Sequence, residues 1–113
     1  MGGAATYAGC TGGFTNRTVG ADDTRQVNQN NGNGTYDLKC MSVRMGQTVT
    51  INVASRHTLV RAPFPAGESP FPATKQTMFM MPLDVPLGVY AYECGDHTDR
   101  PDERGAIQVL ARP

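Results

Sequence analysis

The stretch Gly88-Val-Tyr-Ala-Tyr-Glu-Cys94-Gly-Asp-His97 decides how this chain is read. Tyr90, Tyr92 and Cys94 recur at every second position, the period that sends one set of side chains to one face of a strand. Val89–Cys94 is therefore predicted to be a strand with those three residues on one face. His97 follows Cys94 by three residues, across Gly95 and Asp96. A turn of that length lets a thiolate and an imidazole face one point. Downstream, residues Gly95–Arg104 read as a charged loop, and Ala106–Leu110 as a closing strand with Ile107 and Val109 on one side.

Working upstream, Thr48-Val-Thr-Ile-Asn-Val53 alternates with Val49, Ile51 and Val53 on one face, the pattern of a half-buried antiparallel strand. Tyr36–Met45 reads as the strand before it, across a tight turn at Gly46-Gln47. His57 stands four residues after Val53, past the strand end. Pro63–Thr74 carries four prolines and reads as an irregular connection. Thr77–Met81 reads as a short strand with Met78 and Met80 turned inward as core filler; the other reading is a thioether cluster of Met78, Met80 and Met81 for Cu(I). Residues 1–35 are polar and rich in Gly, Asn and Thr, and Gln26–Gly34 reads as loop. Neither an amphipathic helix of useful length nor a repeat is visible. Many short strands with frequent turns predict an all-β chain, a sandwich or barrel.

Bulk properties narrow the function. The 113 residues suit one domain, residues 1–113, long enough to build a core without a metal or cross-link. Ten Lys and Arg balance ten Asp and Glu, with no basic run, so a nucleic-acid footprint is absent. No stretch approaches the ~18 apolar residues of a membrane span. Three cysteines leave at least one unpaired. The simplest division is a Cys10–Cys40 disulfide with Cys94 kept as a thiolate; the other is that Cys10 and Cys40 are both free. A disulfide implies an oxidising compartment, periplasmic or extracellular. Met1–Ala5 has neither the charged nor the apolar region of a signal peptide, and no apolar run precedes Ala8-Gly9-Cys10 to make it a lipoprotein cleavage site.

The chain's two histidines, His57 and His97, both follow strands. Two imidazoles and a thiolate in a plane, with a weak axial donor, form the blue-copper arrangement. Other readings of the same residues are an inert core thiol at Cys94, a zinc site, and a nucleophile–base pair, for which nothing supplies an oxyanion hole.

The segment Gly88–His97, followed by Gly105-Ala-Ile-Gln-Val109, resembles the copper loop and closing strand of the plastocyanin-like cupredoxins. Met45-Gly-Gln-Thr-Val-Thr-Ile51 and Arg56-His57-Thr58 resemble the family's earlier strand and first histidine ligand. The likeness spans residues 36–110. It implies a Greek-key β-sandwich of the cupredoxin type that holds one copper ion through His57, Cys94 and His97. It also implies a monomeric, non-enzymatic electron carrier with a redox partner protein, and His97 as its electron port. Thr58 stands where the family commonly places an Asn that ties the ligand loops together. The chain departs from the family at the axial methionine, whose place is taken by Glu103; no Met lies in Gly95–Leu110. Glu103 is the expected axial donor, with Asp102, a water or no fourth ligand as alternatives. A carboxylate is harder than a thioether and favours Cu(II), which lowers the reduction potential. Copper carriage or storage, and a copper-free interaction domain, are the other functions such a chain could serve.

Overall fold

The computed structural model describes residues 3–30, 32–55, 57–64, 69–81, 84–97 and 99–112. A first sheet contains β1 (Thr15–Asn16), β3 (Cys40–Arg44), β5 (Leu59–Arg61), β7 (Gly88–Cys94) and β8 (Arg104–Leu110), in the order β1-β3-β8-β7-β5. A second contains β2 (Gln26–Asn28), β4 (Thr50–Asn52) and β6 (Met78–Met80), in the order β2-β4-β6. β1 and β3 are parallel, as are β3 and β8, while β8, β7 and β5 run antiparallel. In the second sheet β2 is parallel and β6 antiparallel to β4.

The two sheets face each other across one core. Met41, Val43, Leu59, Tyr92 and Ile107 from the first meet Val27, Ile51 and Phe79 from the second, all buried. This is an all-β sandwich. Its interior is apolar because alternation along β3, β4, β7 and β8 sends every second side chain inward. On the outer face of the first sheet lies α1 (Gly3–Ala8). Ala4, Ala8 and Cys10 pack there against Ala62, Ala91 and Ala106, small residues that let the helix approach closely. The Cys10–Cys40 disulfide joins the chain beyond α1 to the start of β3. Among the described residues no helix is long and apolar enough to cross a membrane.

Three readings of the sequence are corrected. Gln26–Gly34 is not all loop: Gln26–Asn28 forms β2 and pairs with Thr50–Asn52. Propensity misleads there because Val27 alone supplies the burial, and the ladder to β4 outweighs the turn preference of Gln and Asn. The strand within Tyr36–Met45 covers only Cys40–Arg44; Tyr36 makes an isolated bridge to Gln29. Met78 and Met80 point outward, 59% and 60% exposed, while Phe79 and Met81 are buried. Register with β4 sets this: Ile51, inward on β4, opposes Phe79. Phe79 then packs on Phe71 with ring centroids 4.7 Å apart, burying an aromatic ring where a thioether was expected. Met78 and Met80 share the outer face while Met81 is buried, so the three do not form one cluster.

Candidate metal centre

Cys94 is the last residue of β7, opposite Leu59 of β5, and is fully buried. That pairing brings the chain just after His57 alongside the end of β7. His57 sits in a turn closed by its own N–H donating to Ala54 O at 3.1 Å. His97 ends the turn that begins at Cys94, its N–H donating to Cys94 O at 3.2 Å. Glu103 closes the 3-10 turn Pro101–Glu103, immediately before β8. Lys39 Nζ donates to Pro101 O at 2.9 Å and anchors this turn to the residue before β3.

Four donor atoms converge. Cys94 Sγ lies 3.5 Å from His57 Nδ1 and 3.6 Å from His97 Nδ1. Glu103 Oε1 lies 3.3 Å from His57 Nδ1 and 3.1 Å from His97 Nδ1. All four are within 4.8 Å of one another. A four-coordinate ion with bonds of about 2.0–2.3 Å would space its donors about 3.3–3.8 Å apart, so the set fits one first-row metal ion. The Glu103 side chain is 1% exposed, a burial that a carboxylate tolerates only when paired. Its other oxygen, Oε2, accepts from Arg100 Nη1 at 3.3 Å. Asp102, the other carboxylate weighed from the sequence, is exposed. The His97 side chain is 32% exposed against 11% for His57, so His97 is the group of the four that reaches the surface.

The surroundings are aromatic on the core side and cross-tied at the surface. Tyr36 and Tyr92 stack edge to face at 5.0 Å, and Phe71 lies 4.9 Å from Tyr92. Both tyrosine hydroxyls are buried with no hydrogen-bond partner among the described residues. Burial pushes the Tyr36 phenol far above its ordinary range, and the negative charges of Cys94 and Glu103 push it further. Gly95 N–H donates to Thr58 O at 3.0 Å. Asp96 accepts from Thr58 Oγ1 at 3.0 Å and from Lys75 Nζ at 2.7 Å. Those two bonds, Lys75 first, hold the Asp96 carboxyl below the usual range. Arg100, one of the charged residues around His97 that read from the sequence as a solvated loop face or a docking rim, instead turns toward Glu103. Lys75 and Gly34, which packs against Glu103, were not singled out from the sequence. Charged and small residues in loops leave no periodic signal.

No sequence family and no curated protein matches the chain. Solved structures do. A fern plastocyanin variant is 19% identical with a TM-score of 0.56, the alignment covering 74% of this chain and 98% of that one. A purple cupredoxin from Nitrosopumilus maritimus is 25% identical with a TM-score of 0.53, covering 74% and 97%. This chain has the cupredoxin fold. An oxidised amicyanin variant, 25% identical with a TM-score of 0.55, covers 80% of this chain and 85% of its own. Within that fold the four residues form a candidate copper site, with a carboxylate where the sequence resemblance expects a thioether.

Proposed function

We propose that the chain is a monomeric, single-domain electron carrier that binds one copper ion through His57 Nδ1, Cys94 Sγ, His97 Nδ1 and Glu103 Oε1. The observation that carries this is the convergence of one sulfur, two imidazole nitrogens and one buried carboxylate oxygen at the end of a cupredoxin sandwich. At such a mixed N, S, O set Cu(II) binds more tightly than Zn(II). Copper supplies a one-electron couple when bound. The protein's part is to keep its donors still. Cys94 is fixed by the β5–β7 ladder, His57 and His97 by turns bonded at 3.1 and 3.2 Å, and Glu103 by Arg100.

With all four protein donors engaged, a bound ion would offer a substrate no vacant position, which favours electron transfer over catalysis. The half-buried His97 edge is the place where a redox partner protein would approach. The Cys10–Cys40 disulfide favours a periplasmic or extracellular setting.

The test is addition of Cu(II) to the whole chain, followed by absorption, paramagnetic resonance and voltammetry. An intense thiolate-to-Cu(II) band that disappears in Cys94→Ser, together with a reversible one-electron wave, is the expected result. Binding without a reversible wave would make the protein a carrier or store. Failure to bind, with Cys94 open to thiol reagents, would make it a copper-free interaction domain. Glu103→Met should raise the reduction potential, since a thioether favours Cu(I); an unmoved potential would remove Glu103 from the ligand set.

A further inference from the structure

Gly34 belongs to the N-terminal third, just before the stretch whose sequence resembles the cupredoxins. Its turn is organised by Asn30. The Asn30 N–H donates to Thr35 O at 2.7 Å, and Asn30 O accepts from Gly34 N–H at 2.9 Å. Asn30 Oδ1 accepts from the N–H groups of Gly32 and Asn33 at 2.7 and 3.1 Å. Gly34 has φ +76°, the left-handed region that glycine enters without strain. A Cβ at this position would stand 2.5 Å from Glu103 Oε1, 2.6 Å from Glu103 Cδ and 2.9 Å from His57 Cε1. No side chain fits there.

Gln29 holds this wall in place. Its side chain is buried, Nε2 donating to Gly34 O at 2.8 Å and Oε1 accepting from Ala54 N–H at 3.0 Å. Ala54 O in turn accepts from His57 N–H at 3.1 Å. One buried amide thus fixes the Gly34 turn and the His57 turn relative to each other. Breaking it would leave buried polar groups unpaired.

We propose that Gly34 is the residue that closes the metal centre. With a carbon–carbon bond of about 1.5 Å, its Cα lies within about 4 Å of Glu103 Oε1, too near for a water molecule to stand between them. Exogenous ligands are therefore shut out on the Glu103 side, and the carboxylate presents one oxygen while Arg100 takes the other. Gly34 is a positioning residue: it acts through Glu103 and His57. The inference rests on the metal-binding reading above.

The test compares wild type, Gly34→Ala and the control Gly20→Ala. Gly20 also has a positive φ of +96°, but a Cβ there meets only Thr24 Oγ1 at 3.5 Å and Cγ2 at 3.8 Å, ordinary contacts. In Cu(II)-loaded protein, azide should leave the thiolate band unchanged in wild type and Gly20→Ala, and shift it saturably in Gly34→Ala. In metal-free protein, Gly34→Ala should lower the unfolding temperature more than Gly20→Ala. That excess should shrink in a Glu103→Ala background, because two of the three clashing atoms belong to Glu103. If Gly34→Ala alone does not fold, the double variant should fold. Azide binding by wild type as strong as by Gly34→Ala, or an excess that survives intact without Glu103, would overturn the proposal. Absence of any thiolate band in wild type would instead sink the copper reading, while the metal-free comparison would still report on the contact.

Discussion

Thr58 Oγ1 donates to Asp96 Oδ2 across 3.0 Å, joining the residue after His57 to the residue before His97. The same carboxylate accepts from Lys75 Nζ at 2.7 Å, so three separate segments meet on Asp96. Gly95 is confined by the same neighbours: a Cβ there would stand 2.7 Å from Thr58 Oγ1 and 2.8 Å from Lys75 Cγ. The tie is solvent-exposed, so its contribution to global stability is small. Its effect is local, on the spacing of the two imidazoles. Thr58→Val should leave the unfolding midpoint nearly unchanged while speeding hydrogen exchange at the Gly95 amide. Cu(II) affinity should fall on the order of ten-fold, the usual penalty for losing a group that orients a ligand. A competition titration against a copper chelator measures this. Unchanged affinity with faster exchange would show that the tie steadies the loop without orienting the imidazoles.

Gly105 shows why a glycine leads the closing strand. It opposes Tyr92 in the β7–β8 register. A Cβ on Gly105 would lie 2.4 Å from Tyr92 Oη, 2.5 Å from Cζ and 2.9 Å from Lys39 O. The tyrosine ring is completely buried and the Lys39 oxygen is backbone, so neither can yield cheaply. Gly105→Ala should cost about 1–3 kcal/mol, the range for overpacking a core. Gly12→Ala, where nothing lies within 4 Å, supplies the comparison. Urea midpoints of the two variants decide it; equal values would mean that Tyr92 swings clear.

Legibility of the fold followed periodicity. Val89–Cys94 and Ala106–Leu110 alternate clearly, and both lie inside strands of the structure. The residues named from the sequence, His57, Cys94, His97 and Glu103, are those whose donor atoms converge, because each lies at or just beyond a strand boundary or turn that the pattern marks. Residues 78–81 defeat the same logic. Met, Phe, Met and Met are all apolar, so alternation is silent about which face turns inward, and the β4 register decides instead. Gly34 is illegible for another reason: its importance comes from atoms of residues 57 and 103, which no local pattern reports. The observed register makes a sharp prediction. Met78→Gln should change stability by less than about 0.5 kcal/mol, as surface substitutions do. Phe79→Ala should cost about 3–5 kcal/mol, the loss for a buried aromatic. The opposite ranking in chemical unfolding would restore the inward methionines.

Tyr7 of α1 donates its hydroxyl to Glu93, and the Arg104 guanidinium carbon lies 3.9 Å from the Tyr7 ring centroid. Arg104 Nε stands 3.7 Å from Glu93 Oε1. These contacts lie next in sequence to Cys94 and Glu103, on the opposite face of the sheet from the buried cluster. Burial, then the bond to Glu93, pushes the Tyr7 phenol from 10.0 up to about 12. The folded chain therefore holds this proton more tightly than the unfolded chain does. By linkage, the stabilisation is fully present below pH 10 and is lost as pH rises through about 12. Tyr36 and Tyr92, also raised by burial, act in the same direction. Tyr7→Phe should weaken the docking of α1 below pH 10 by removing the hydroxyl, and should flatten the alkaline fall in stability without abolishing it. Urea midpoints measured across this range for both proteins give the two slopes. Parallel curves would mean that the Tyr7 proton is held no more tightly in the folded chain than in the unfolded one.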